Sequence, residues 1–293
     1  MNLNRRSCAI LGDVVDEYGP GMDEYRTDYG IAYVLDLGVH GDYPLEAGIR
    51  VAEACMGSLA YIGVDGNKIK VDVPEKPAIA TMSCQMAAWF VTVSGMQALG
   101  SGPANILAKS PNSIVKEVGY LEKSSKACFI LETEHLPSRE TCEEILENTC
   151  ATELYLAAFK CKSNVGLINV MARIVEVGMF RLHNLGYDIN QVEKAEGECM
   201  MPEMDEEIMF NSNDAIIYKG EVKMNVKKWI PGLEKQAVSM NSRLYGKRFR
   251  ELFNKAGGDF YQIDPEIFAP AVLEVRDEST GREYAAGRLE DIK

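Results

Sequence analysis

Asn164-Val165-Gly166-Leu167-Ile168-Asn169-Val170-Met171-Ala172-Arg173-Ile174-Val175-Glu176-Val177-Gly178-Met179-Phe180-Arg181-Leu182 is apolar almost throughout, yet an arginine and a glutamate sit in its middle. At helical spacing Asn169, Arg173, Glu176 and Phe180 fall on one stripe, because positions i, i+4, i+7 and i+11 share a face. A buried ion pair is a poor stabiliser: desolvation costs roughly several kcal/mol per ion and offsets the attraction. The pair is therefore either a structural bridge or a site presented to a cavity, and the helix alone leaves both open. Just before it, Glu153-Leu154-Tyr155-Leu156-Ala157-Ala158-Phe159 reads as a strand that feeds the loop Lys160-Cys161-Lys162-Ser163. Strand, loop and helix in succession form the unit from which α/β layers are built.

Working outward, the same alternation recurs. Residues 4–18 read as a helix ended by Gly19-Pro20-Gly21, Ile31 to Leu37 as a buried strand between glycines, and Leu45 to Ser58 as a helix. Two short strands flank the turn Asp65-Gly66-Asn67, and a helix is expected around Cys84–Val93. Leu99-Gly100-Ser101-Gly102-Pro103-Ala104-Asn105 reads as a tight loop opening a short helix, where N–H groups favour an anion. Val115 to Leu121 and Ala127 to Leu131 read as strands, and Ser138 to Cys150 as an amphipathic helix. The helix begun at 164 is expected to end near Gly186, followed by a short helix from Asp188 to about Ala195. Residues 196–207 read as an acidic, Met-rich loop. Asn213-Asp214 precedes an expected strand at Ala215-Ile216-Ile217-Tyr218, and Glu221 to Val226 is another. A helix around Leu244–Ala256 and a hairpin turning at Glu278-Ser279-Thr280-Gly281 close the chain.

The 293 residues suffice for about two domains; the division is expected at 1–150 and 151–293, with segments free to cross. A net charge of −13 argues against a nucleic-acid partner, which needs a basic face to displace counterions from phosphates. No signal peptide is visible, and no apolar run reaches the ~18 residues of a membrane span, so a cytoplasmic chain without a membrane partner is expected. The eight cysteines (Cys8, Cys55, Cys84, Cys128, Cys142, Cys150, Cys161 and Cys199) form no C-x-x-C and read as reduced thiols. Three scattered histidines offer no zinc spacing, so no metal is expected. G-x-G-x-x-G, Walker and G-x-S-x-G motifs are all missing.

A set of motifs in fixed order resembles the methenyltetrahydromethanopterin cyclohydrolase family over nearly the whole chain. They are Pro77-Ala78-Ile79-Ala80-Thr81, Gln85 with Trp89, Gly100-Ser101-Gly102-Pro103-Ala104, Arg173-Ile174-Val175-Glu176, Asn213-Asp214, Tyr245-Gly246-Lys247, and Asp259-Phe260-Tyr261 through Phe268-Ala269-Pro270-Ala271. The resemblance implies two α/β domains side by side with a cleft between them, a homotrimer, and no bound metal or cofactor. It implies opening of the methenyl bridge of a C1-carrying pterin to the N5-formyl form, and the reverse. It carries the catalytic pair onto Glu176 and Arg173, and the substrate wall onto Gln85, Ser101, Gly102, Asn105, Lys160, Asn169, Asn213 and Asp214.

The chemistry suits a carboxyl. A methenyl bridge is an amidinium-like cation with an electrophilic carbon between two nitrogens. Its hydration needs a base to take a proton from water and an acid to protonate the departing nitrogen, and one carboxyl can do both. The chain departs from the family pattern in its substrate wall. Met86 stands where the family has lysine and Asn105 where it has arginine, and the loops at 159–163 and 197–202 differ. These departures leave open a second expectation: a diverged paralogue acting on another heterocycle, or a protein that only binds a ligand.

Overall fold

A computed structural model describes residues 1–292. Among them the apolar runs become twelve strands: β1 (Gly21–Arg26), β2 (Ile31–Asp36), β3 (Tyr61–Asp65), β4 (Lys68–Val73), β5 (Trp89–Val93), β6 (Met96–Ser101), β7 (Lys126–Glu132), β8 (Glu153–Phe159), β9 (Val192–Met200), β10 (Glu221–Val226), β11 (Val272–Asp277) and β12 (Arg282–Gly287). They form two mixed six-stranded sheets, ordered β1-β2-β8-β7-β6-β5 and β12-β11-β10-β9-β4-β3. The chain is thus α/β with two compact units. One comprises Met1–Tyr61 and Ile79–Val170; the other comprises Ile62–Ala78 and the chain from Met171 onward.

In the first unit β2, β8 and β7 run parallel, and helices cover both faces. That explains why these strands read as unbroken apolar runs rather than as alternating ones. Side-chain alternation sorts them into two cores. Ala32, Val34, Phe129, Leu131, Leu154 and Leu156 pack with Cys142, Ile145 and Leu146 of the helix Arg139–Thr149. Leu35, Cys128, Ile130, Ala157 and Phe159 pack with Leu11, Val14 and Val51 from the helices Leu3–Tyr18 and Leu45–Cys55. All eight cysteines are free thiols, six of them buried.

In the second unit β10 and β11 are parallel and the other pairs antiparallel. Gly197 on β9 is where the helix Ile174–Asn184 touches the sheet: a Cβ there would stand 2.8 Å from Ile174 Cγ2 and 3.0 Å from Val175 Cγ2. The missing side chain lets the first turn of that helix, which carries Glu176, settle onto the strand.

Several expectations are corrected. The stretch 164–182 is not one helix. It is Asn164–Met171 and Ile174–Asn184, broken at Ala172 and Arg173, and the two units divide just before this break, between Val170 and Met171. The strand expected at Ala215–Tyr218 lies inside the helix Ile208–Lys219, so Asn213-Asp214 is mid-helix. The acidic loop expected from 196 begins as the end of β9, where Glu196 is exposed and Glu198 half-buried. The segment after Asp188 is a single 3₁₀ turn, Ile189–Gln191, before β9. Val115–Leu121 is mostly the short helix Ser113–Val118, capped by the Asn112 side chain. Cys84–Val93 is the end of a π-helix, Ala78–Met86, followed by β5.

Candidate active site

The break at Ala172–Arg173 defines the local geometry of the pair. Arg173 is the N-cap residue of the helix Ile174–Asn184, with φ −80° and ψ 3°, and Glu176 lies in its first turn. A carboxylate there meets the positive end of the helix dipole. Arg173 Nη1 donates to Glu176 Oε2 at 2.5 Å. Glu176 is only 9% exposed. Burial pushes its carboxyl above the usual glutamate range, and the charge and hydrogen bond of Arg173 pull it back down without cancelling the rise. A carboxyl so balanced exchanges protons nearer neutrality than an exposed glutamate does.

Tyr261 belongs to the same surroundings. Burial raises its phenol, and the charges of Arg173 and Glu176 both act on it, the first lowering and the second raising. Its motif is visible in the sequence, but no residue type in Asp-Phe-Tyr announces that its phenol feels the charge of a carboxyl far upstream.

Asn213 and Asp214, in the same unit, have internal partners. Asn213 Nδ2 donates to Met209 O at 2.8 Å, one helical turn back. Asp214 Oδ1 accepts from Phe249 N at 2.7 Å and so fixes the start of the helix Phe249–Lys255. Burial raises its carboxyl. Asp214 also lines a cavity of about 320 Å³ with Asn67, Asn211, Tyr218 and Arg248. A neighbouring cavity of about 300 Å³ is lined by Lys68, Glu198, Lys219 and Asp291 among others. Neither includes Arg173 or Glu176.

The remaining candidates lie in the first unit, where four of them gather around Cys84. Cys84 O accepts from Gly102 N at 2.6 Å and from Asn105 Nδ2 at 3.4 Å. Gln85 is the next residue and is buried. Ser101 Oγ lies 3.3 Å from Cys55 Sγ and donates to Ile130 O at 3.5 Å. Gly102 has φ +102°, and a Cβ there would stand 2.9 Å from Cys128 O, so only glycine fits. The anion cradle expected at this loop is not formed by Gly102, whose N–H is bonded to Cys84 O, and the helix beyond it is only Ala104–Leu107. Lys160 lies just before the helix Asn164–Met171 and Asn169 within it. Lys160 Nζ is 3.8 Å from Glu134 Oε2. Asn169 is buried, and its Oδ1 has no hydrogen-bond partner among the described residues.

Fold and pair together define an α/β protein with a buried carboxyl held by an arginine. The chain belongs to the MCH cyclohydrolase family: the family model described as "Cyclohydrolase (MCH)" matches residues 3–292. It is similar to proteins named methenyltetrahydromethanopterin cyclohydrolase. That of Methanococcoides burtonii is 30% identical, over 99% of this chain and 95% of the relative. That of Methanocaldococcus jannaschii is 33% identical with the same coverage. That of Methanothermobacter marburgensis is 33% identical over 94% of this chain and 93% of the relative. The protein is a cyclohydrolase.

Proposed function

We propose that the protein hydrolyses the methenyl bridge of a tetrahydromethanopterin-type C1 carrier to the N5-formyl form, and runs the reverse cyclisation, with Glu176 as the acid/base. The buried carboxyl held at 2.5 Å by Arg173 carries this reading; the names of the relatives support the substrate. In the forward direction the Glu176 carboxylate takes a proton from water as the oxygen bonds to the methenyl carbon. The protonated carboxyl then gives that proton to the nitrogen whose bond to carbon breaks, and the carbon-bound hydroxyl releases its own proton to solvent as the formyl C=O forms, so that cation and water become neutral product and one proton. One proton enters and leaves Glu176 per turnover, and the reading calls on no metal. The negative carboxylate also favours binding of the cationic substrate. Coverage of relatives along nearly their full length favours this reaction over a different heterocycle, despite Met86 and Asn105.

The test is a Glu176→Gln variant. Gln has nearly the same shape and keeps an acceptor for Arg173 Nη1, and a thermal melt beside that of the native protein checks that the fold is retained. Turnover, followed as loss of methenyl absorbance, is expected to fall about 10²–10⁴-fold. A variant with undiminished kcat would remove Glu176 from the mechanism. A native protein with no rate above the uncatalysed one would remove the substrate.

A further inference from the structure

Two motifs of the second unit take no part in the acid/base reading, and they meet on one wall. Tyr218 shares the helix Ile208–Lys219 with Asp214. Its hydroxyl donates to Lys247 O at 2.7 Å and accepts from Gly246 N at 3.0 Å, and its ring is tilted on that of Tyr245 at 5.0 Å. Asp214 Oδ1 accepts from Phe249 N at 2.7 Å. Asn213-Asp214 and Tyr245-Gly246-Lys247 thus fix the loop that carries Arg248 against the helix that carries Asp214. Both Asp214 and Arg248 line the cavity of about 320 Å³. That volume is at the lower end of the roughly 300–1,000 Å³ of small-molecule sites.

The two residues face this cavity with opposite charges that do not meet. Asp214 is 8% exposed, and its Oδ2 is in no hydrogen bond or ion pair among the described residues. The Arg248 guanidinium is exposed and is likewise in none. A buried carboxylate with an unpaired oxygen is costly, and the cation that could relieve it stays apart. The other cation of the wall, Lys219, is already engaged, its Nζ 2.6 Å from Asp291 Oδ1. Burial raises the Asp214 carboxyl, and neither the Phe249 N–H nor the charge of Arg248 cancels the rise. Met201, Pro202 and Ile292 give the same cavity an apolar side.

We propose that this cavity binds a small zwitterion of the apolar α-amino acid class, with its ammonium on Asp214 Oδ2, its carboxylate on Arg248 and its side chain against Met201, Pro202 and Ile292. One ligand then pairs both charges through charge-assisted hydrogen bonds, which neither an anion nor a cation alone would do. The cavity includes neither Arg173 nor Glu176, so the site is independent of the proposed reaction.

The probes are leucine, methionine and phenylalanine, titrated calorimetrically into the protein beside their N-acetyl derivatives, which lack the ammonium, and their amides, which lack the carboxylate. At least one of the three amino acids is expected to bind with Kd below about 1 mM, and both of its derivatives at least about ten-fold more weakly. Asp214→Asn keeps the shape and the acceptor for Phe249 N but loses the charge, and Arg248→Met loses the guanidinium; each should weaken the amino acid at least about ten-fold. No binding of any of the three, equal binding of a derivative, or undiminished affinity in Arg248→Met overturns the proposal. Should Asp214→Asn unfold the protein, Arg248→Met decides alone. Saturating methenyl-tetrahydromethanopterin, added in a Glu176→Gln background, should leave the amino acid's affinity unchanged. Displacement would make the cavity part of the carrier's own site and would also overturn the proposal.

Discussion

Two forces set where the Glu176 carboxyl holds its proton. Burial raises its affinity for the proton, and Arg173, 2.5 Å away, lowers it. The net displacement is upward, so the carboxylate that activates water in the proposed mechanism forms at a pH above the ordinary glutamate range. The acid limb of the pH–rate profile reports that ionisation. Replacing Arg173 by Met removes the lowering force and leaves burial unopposed, so the limb is expected to move to higher pH. Lysine at 173 restores the charge without the guanidinium geometry and should bring the limb part of the way back. A limb that stays in place in Arg173→Met would show that Arg173 acts on substrate rather than on Glu176. The same displacement has a stability consequence. A carboxyl whose folded pKa is raised favours the folded state when protonated, and that contribution fades as pH rises through the folded value.

At the scale of elements, glycines decide how closely the pieces that carry candidate residues can approach. A Cβ on Gly166 would stand 2.2 Å from Lys160 O and 2.6 Å from Cys161 O, both backbone atoms that cannot rotate away. Gly166→Ala is expected to cost about 2–4 kcal/mol and to displace the loop bearing Lys160, read as a lower urea midpoint. Gly12, inside the helix Leu3–Tyr18, has open space where its Cβ would be. There the same substitution should stabilise by about 0.5–1 kcal/mol, since alanine costs less chain entropy in a helix. Equal signs at the two positions would refute the packing argument. The sequence announced elements where turn chemistry or length was distinctive: Gly19-Pro20-Gly21, Asp65-Gly66-Asn67, Ser138 before its helix, and Glu278–Gly281 all mark real boundaries. It was silent where apolar residues run on without punctuation. No Gly or Pro marks the break at Ala172–Arg173, and the β-branched pair Ile216-Ile217 reads as strand although it packs as helix. Of the candidate site, Arg173 and Glu176 were legible because charge in an apolar run is rare. The bonds of Asp214 to Phe249 N and of Gly102 N to Cys84 O join residues far apart in the chain, which no local pattern reports.

The units are discontinuous in sequence, and this governs how the chain divides. The second sheet takes β3 and β4 from the segment ending at Ala78, far upstream of its other four strands. β4 pairs with β9 along its whole length, from Lys68 opposite Met200 to Val73 opposite Ala195. Ile69, Val71 and Val73 contribute three buried side chains from that strand. A fragment beginning at Met171 therefore loses these side chains and exposes the backbone edge of β9, a template for intermolecular pairing. Such a fragment is expected to aggregate and to show no cooperative melt. Placing residues 62–78 ahead of Met171 through a Gly/Ser linker of about 20 residues, whose mean span is roughly 25 Å, supplies the missing partner in the same chain. The linked fragment should be soluble and unfold in a single transition, because β4 closes the edge and its apolar face completes the core. A soluble, cooperatively melting 171–292 fragment without the hairpin would mean that β9 to β12 and their helices suffice, and that β4 is an accessory rather than a structural member of the second unit.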